Sequence, residues 1–405
     1  MSAAAVLVLI EPGAHRPGGH RDHALTALAA AHGTAVVIVP HGVAADTRAA
    51  LAAAGARVTG PTGTVPAMLA AAGTSAAALA AYGRRAVSWR RWPGAVRRFP
   101  HQITLLARCL TEAACVRSGH RLTAGTAAVV VLSASEALHG VVGLLGGRHV
   151  RFVHEVVTTQ DAPLRVLDRL ARRGERRVLV LAPTAAVRDD LTRRFPRLPL
   201  RVRAFAVADQ DDRLTDTGRR QAREAFGIPA GEAAVCLVGG WWPYKDLDVV
   251  DTALARLDIP LHLLVVGVPL DDDRLRAWAA LPQVRLHTRR GPVPETAVRE
   301  VYAASDAALV TRRPGVAKES GLVVDAVRLG VPLIVSDHDP ALTTSLAGHG
   351  WARRFPAGDG AALADVLRDL SRAALPRPSA IAAADLGVPT AAEQAAFLTE
   401  LKEPH

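Results

Sequence analysis

Short apolar runs alternate with helix-length segments along nearly the whole chain, and the series restarts once. Residues 6–10, 36–39, 129–132, 152–154 and 178–181 read as buried strands, with amphipathic stretches such as 21–31 and 163–173 between them. After a polar break at 209–217 the pattern resumes through 235–238, 263–266, 284–286, 307–310 and 333–335. Strands that are apolar on both faces, each followed by a helix, signal βαβ units and a parallel sheet covered on both sides. The expectation is an α/β chain of two Rossmann-like domains facing across a cleft, at residues 1–207 and 208–388. Residues 389–405 are expected to form a C-terminal helix returning to the first half. No short repeat argues for a solenoid. Ligands of such sheets bind beyond the carboxyl ends of the strands. That singles out the loops at 11–20, after 152, and at 239–245, 267–273 and 311–320.

The formal charge of +11 asks for an anionic partner: nucleic acid, an acidic membrane or a phosphorylated small molecule. The basic residues are almost all arginine. Of the chain's 405 residues only Lys245, Lys318 and Lys402 are lysine, and the first two fall in strand-to-helix loops suited to anions. Cys109, Cys115 and Cys236 have neither metal-ligand nor disulfide spacing and are expected as reduced core thiols. The N-terminal apolar run has no basic segment before it and ends at Glu11, so it reads as a first strand and not a signal peptide. The longest uncharged stretch, 58–83, is expected to be too weakly apolar and too broken by Pro61 and Pro66 to span a bilayer. A cytoplasmic protein is therefore expected.

Three segments carry chemistry. Gly18 and Gly19, followed by His20 and a helix, let backbone approach a ligand at a helix N-terminus, although a tight turn alone explains them equally well. In Gly239-Gly240-Trp241-Trp242-Pro243-Tyr244-Lys245, paired glycines open space after a strand and Lys245 is placed to reach the cleft. In Lys318-Glu319-Ser320-Gly321-Leu322-Val323-Val324-Asp325, the N–H groups of Gly321, Leu322 and Val323 open a helix in a way suited to pyrophosphate. Glu319 there is suited to the hydroxyls of a sugar or ribose. A plain helix cap with acidic residues matching the dipole is the alternative.

Together these motifs resemble the retaining nucleotide-sugar glycosyltransferases of GT-B fold, family 4. The resemblance rests on Gly-Gly-His near the start, a strand ending in His154, Pro-Tyr-Lys-Asp at 243–246, and Glu-Ser-Gly-Leu-Val-Val-Asp-Ala before Gly330-Val331-Pro332. It implies that Lys245 holds the donor diphosphate, Glu319 the sugar hydroxyls and Asp325 the ribose. Gly240, Trp241, Lys318 and the backbone of Gly321, Leu322 and Val323 complete the donor site, with Gly18 and Gly19 closing from the first half and His154 beside the reacting sugar. The implied reaction moves a sugar from a nucleoside diphosphate, UDP before GDP, to a small-molecule, sugar or lipid-linked acceptor. The donor is a substrate, and neither a cofactor nor a metal is implied.

The chain departs from the pattern in two ways. Five residues separate Glu319 from Asp325 where the family has seven, and Trp241 replaces the arginine that commonly follows the glycine, leaving Arg312 or Arg313 to supply that charge. These departures motivate a second reading, a degenerate GT-B protein that binds nucleotide or a partner. A sugar-nucleotide epimerase is a third, for which no acid/base carboxylate is marked. Asp209-Gln210-Asp211 and Asp337-His338-Asp339 are short enough to be loop carboxylates rather than metal ligands. The segment containing Arg84, Arg85, Trp89, Arg90, Arg91 and Trp92 is the densest basic and aromatic patch. With Arg90, Trp92 and His20 on the acceptor side, it would grip an anionic or aromatic acceptor or touch an acidic membrane. A solvated arginine-rich loop is the alternative, and no nucleic-acid motif supports a polynucleotide partner.

Overall fold

The computed structural model describes residues 6–15, 20–86, 94–154, 162–209, 212–291, 293–316 and 320–401. Two compact units emerge. The first takes Arg21–Val207 with the chain's start and the C-terminal segment from Ala391; the second takes Ala208–Thr390.

In the first unit, β1 (Leu7–Ile10), α1 (His20–His32), β2 (Val36–Ile38), α2 (Ala45–Ala53) and β3 (Arg57–Thr59) lead into two long helices, α3 (Thr64–Ala86) and α4 (Gly94–Leu122). They are followed by β4 (Ala128–Val131), α5 (His139–Gly146), β5 (His149–Phe152), α6 (Ala162–Leu170), α7 (Arg172–Glu175), β6 (Val178–Ala182), α8 (Ala185–Arg194) and β7 (Leu200–Val202). All strands are parallel in the order β3-β2-β1-β4-β5-β6-β7, so the order reverses between β1 and β4. Alternate strand residues feed opposite faces. Leu7, Leu9 and Val130 meet α1 on one side, and Val8, Ile10 and Val129 meet α4 and α8 on the other.

The second unit runs α9 (Asp216–Ala225), β8 (Ala233–Val238), α10 (Asp248–Ala255), β9 (Leu261–Gly267), α11 (Asp272–Ala279), β10 (Val284–Arg290), α12 (Glu295–Ala304) and β11 (Ala307–Val310). It continues through α13 (Gly321–Leu329), β12 (Leu333–Ser336), α14 (Pro340–Ser345), β13 (Ala352–Phe355), α15 (Gly360–Arg372) and α16 (Ala382–Asp385). Its parallel order is β10-β9-β8-β11-β12-β13, with the reversal between β8 and β11. The last helix, α17 (Ala391–Glu400), packs Ala391, Ala395 and Leu398 into the core of the first unit. There Gln394 joins Arg203 Nε (2.6 Å) to the Ala204 carbonyl (2.9 Å).

Three expectations need correction. The strand read at 152–154 lies earlier, at His149–Phe152, because buried His149 and Arg151 belong to it; His154 stands just beyond its carboxyl end. The helix read at 163–173 is two helices, α6 and α7, meeting at Ala171. The stretch 58–83, read as too broken and too weakly apolar to span a bilayer, lies from Thr64 onward in one 23-residue helix, α3. Pro66 falls in its first turn, where the missing N–H breaks no helical bond, and residues 64–83 are long and apolar enough to cross a membrane. Helix α3 instead lies along α4, so closely that a Cβ on Gly73 would sit 2.5 Å from Thr111 Oγ1. The three cysteines are buried free thiols, as expected, and burial pushes Cys109 and Cys236 each up to about 12.

Candidate functional site

In the second unit Gly240, Trp241, Lys245, Gly321, Leu322 and Val323, described residues expected at the donor, lie in the loop after β8 and the first turn of α13, where the strand order reverses between β8 and β11. Two glycines make the close packing there possible. Gly239 takes φ +82°, and a Cβ on Gly240 would lie 2.1 Å from the Val268 carbonyl oxygen. The loop leaving β8 is thus pressed backbone to backbone against the loop leaving β9, and Trp241 N–H donates to Pro269 O at 2.7 Å. The Trp241 ring packs beside Trp278, with centroids 5.1 Å apart, at the edge of the hydrophobic core.

Lys245 is buried and folds back over its own loop. Its Nζ donates to Val238 O (2.7 Å) and Gly239 O (2.9 Å), the last carbonyls of β8 and its loop. A Cβ on Gly239 would meet Lys245 Nζ at 3.5 Å and Leu322 Cδ2 at 3.9 Å, so lysine, glycine loop and the first turn of α13 converge on one point. The loop is stitched to the end of β11 by Asp246 N to Thr311 O and by Arg313 N to Tyr244 O.

Helix α13 begins at Ser320 without a side-chain cap. Val323 N and Val324 N both donate to the Ser320 carbonyl, so Val323 N–H, expected at the phosphates, already has an acceptor; the helix N-terminus still attracts negative charge. Around this edge lie three buried polar atoms with no hydrogen-bond partner among the described residues: Thr311 Oγ1, Ser320 Oγ and His338 Nε2. Thr311 and Ser320 fall in the loop 311–320 that the sequence marked, and His338 in the Asp337–Asp339 triplet, but none of the three was given a binding role there. Arg312 is buried too, its guanidinium 5.6 Å from the Tyr244 ring centroid. Burial, and then Arg312, lower the His338 pKa, so the imidazole is neutral near pH 7.

Asp325 is seated differently from a simple ribose acceptor. Its carboxylate takes Arg328 Nε at 3.2 Å, and the same buried guanidinium reaches Asp212 (3.2 Å) and Glu295 (3.0 Å). Asp339 caps α14 through Ala341 N and Leu342 N, and Asp337 accepts from Ala357 N. Both carboxylates of that Asp-x-Asp pair thus already serve backbone donors. Lys318, Glu319, Gly18, Gly19, Arg90 and Trp92 lie outside the described residues, as do Gln210 and Asp211 of the other pair; His20 opens α1.

The first unit has its own polar edge at the β1/β4 reversal. Glu11, directly after β1, is buried and accepts from Gly13 N (2.7 Å) and Ser133 Oγ (2.7 Å), the residue shortly after β4. Burial raises its pKa against those two bonds. Sequence reasoning read Glu11 as the end of an apolar run and the start of the ligand-facing loop 11–20, without a role for its carboxylate; the signal was a carboxylate at the mouth of a central strand. His154 directs Nε2 to Leu132 O at 2.9 Å, which makes Nε2 the protonated nitrogen because a carbonyl only accepts. Its ring stands edge-on to Phe205, centroids 4.3 Å apart.

No family model matches this chain. A D-inositol 3-phosphate glycosyltransferase of Rhodococcus erythropolis is 30% identical over 156 residues, a match spanning 34% of this chain and 34% of that protein. Among solved structures, Anabaena HepE in complex with UDP-glucose aligns over 97% of this chain and 99% of its own, with TM-score 0.62 and 15% identity. A glycosyltransferase from Rickettsia africae aligns over 99% of this chain and 94% of its own, with TM-score 0.58 and 10% identity. At such identities the likeness is one of fold. This chain has the fold of the GT-B glycosyltransferases, two Rossmann-like units each built on a parallel sheet whose strand order reverses beside its first strand.

Proposed function

We propose that this chain is a retaining glycosyltransferase that takes a sugar from a nucleoside-diphosphate sugar, with UDP as the favoured nucleotide and no metal required. The observation that carries this reading is the convergence of Lys245, the Gly239–Gly240 loop and the first turn of α13 at the β8/β11 reversal. An ammonium and helix-start N–H groups there suit a diphosphate, and they stabilise the charge that grows on it as the bond to the anomeric carbon breaks. The partnerless Thr311, Ser320 and His338 atoms on the same edge suit a polar ligand. The UDP-glucose complex of HepE supports the same donor class, and the Rhodococcus relative supports glycosyl transfer. In this reading Glu319 takes the sugar hydroxyls. Asp325 takes the ribose while Arg328 holds its carboxylate, and His154 serves the reacting sugar. The acceptor is a small molecule, a saccharide or a lipid-linked saccharide.

A thermal-shift panel of UDP, GDP, ADP and dTDP, with and without magnesium, tests the donor. Ligand at a hundred times its Kd adds about 2.7 kcal/mol of stability. One nucleotide standing out, indifferent to magnesium, is expected; silence from all four sinks the proposal. Donor hydrolysis with the anomer retained then separates an enzyme from a nucleotide binder. That binder is the second reading, favoured by the commitment of Asp325 to Arg328.

A further inference from the structure

Helix α3 breaks the usual bargain between burial and charge. A helix exposed on one side carries charge there, and an apolar one is buried. Between residues 58 and 83 there is no charged side chain, yet only 17% of the apolar window of α3 is buried. Val65, Met68, Leu79 and Tyr82 all face solvent, Met68 and Tyr82 at 67% and 71% exposure. These positions recur at helical spacing and form one stripe. Arg84 and Arg85 close the helix, and Trp89, Arg90, Arg91 and Trp92 follow in the sequence.

A second surface of the same unit repeats the arrangement. Leu164 of α6 joins a buried cluster with Leu105 and Cys109 of α4, Leu138 just before α5 and Val142 of α5, and Leu69 of α3 packs against that same cluster. The outward side of α6 nevertheless exposes Val166, Leu167 and Leu170, the last at 75%. Arginines are dense in the same segment and its neighbours. A hollow of about 460 Å³ is lined by Gly147, Arg148, Arg173, Arg176 and Arg177. A second of about 350 Å³ gathers Arg169, Arg172, Arg194 and Arg197, with Asp168 and Glu175 as its acidic residues.

We propose that the outer surfaces of α3 and of the α6–α7 segment dock the first unit onto an anionic lipid bilayer. The apolar stripes enter the headgroup–acyl boundary and the arginine hollows receive lipid phosphates. A unit that exposes apolar stripes and arginine-lined hollows is complementary to that phase, whereas a second copy would bring its arginines against their like. Tyr82, exposed near the end of α3, is an aromatic ring of the kind favoured at such a boundary. The inference stands apart from the glycosyltransferase reading, because none of these residues was placed in the donor site.

The test is flotation of the full chain with vesicles of phosphatidylcholine alone or with added phosphatidylglycerol, over a salt series. Partition onto the anionic vesicles only, weakening as salt rises, is expected. Met68→Glu with Leu79→Glu should reduce it at least tenfold. Arg172→Gln and Arg176→Gln should each weaken it about fivefold, as loss of one surface charge near an anionic leaflet does. All four positions are exposed, and circular dichroism with UDP titration verifies that the variants remain folded and ligand-competent. No partition, or partition unmoved by both sets of substitutions, overturns the proposal. So does a mass that doubles with concentration and reverts in Leu79→Glu, which would mark a self-association face. A chain that floats without binding nucleotide would refute the donor reading alone.

Discussion

Lys245→Met is the substitution that bears most directly on the donor site, because methionine keeps the stem and removes only the ammonium. The loss has two separable parts. Nζ makes two charge-assisted bonds to the Val238 and Gly239 carbonyls, and their loss should cost about 1–3 kcal/mol of stability. For a diphosphate about 5 Å from Nζ, an effective dielectric near 20 gives roughly 3 kcal/mol per unit charge. Solvent competition for the phosphate in the free state reduces this. We therefore expect at least 1.4 kcal/mol, about a tenfold rise in UDP Kd, with a similar or larger fall in kcat/KM. Isothermal titration with UDP reads the second part and urea unfolding the first. Lys245→Arg should not restore affinity, since a planar fork does not reproduce a tetrahedral head seated on two converging carbonyls. A folded Lys245→Met protein that binds UDP within twofold of the parent would refute the phosphate role and leave Lys245 as a loop clasp.

Three further outcomes follow from the geometry. Gly240→Ala drives a methyl into the Val268 carbonyl and should cost about 3 kcal/mol, read as a drop in urea midpoint; an unchanged midpoint would show that the two loops part easily. Arg151→Met strands the buried Glu112 carboxylate, now 2.7 Å from the guanidinium. It should destabilise by about 3–5 kcal/mol, most of it recovered when Glu112 is also made apolar; equal losses in the single and double variants would count against the pair. Burial, and then Arg151, lower His149 to a pKa of about 3. Its contribution is whole above the unfolded value of about 6.5 and is lost as pH falls, at about 1.4 kcal/mol per unit. His149→Leu should flatten the acid limb of stability by that slope between about pH 6 and 4, whatever its offset. Asp168, raised by burial to about 6, acts in the opposite sense: its contribution is present below the unfolded value and lost as pH rises through 6.

The central strands were legible because burial on both faces leaves them no room for polar residues: residues 307–310 and 333–335 sit within β11 and β12. Edge strands β3, β7 and β13 escaped. Arg57-Val-Thr, Leu200-Arg-Val and Ala352-Arg-Arg-Phe mix exposed arginines with few apolar positions, since one flank has no neighbour to cover it. The long α3 escaped for another reason. Its alanine-rich sequence has no polar face to mark a helical period, and Pro61 and Pro66 read as breaks although the first precedes the helix and the second lies in its first turn. At the site, the glycine loop and α13 start were readable from residue type and order. The path of Lys245 was not, because two carbonyls fixed by the sheet decide which way a flexible side chain turns.

The scarcity of lysine gains a physical meaning from a comparison of Lys245 with two of the buried arginines, Arg151 and Arg328. Arg151 is buried against the Glu112 carboxylate, and Arg328 is buried among Asp325, Asp212 and Glu295. A planar guanidinium suits such carboxylate partners, which also offset its charge. Lys245 is seated on the carbonyl oxygens of Val238 and Gly239. Carbonyls orient an ammonium through their dipoles and bring no formal charge to cancel it. A chain that needed only a structural cation after β8 had arginine in abundance. Keeping the smaller head at the strand-order reversal, beside the first turn of α13, preserves a compact positive centre where a diphosphate would arrive. That is the arrangement Lys245→Met would dismantle and Lys245→Arg would fail to rebuild.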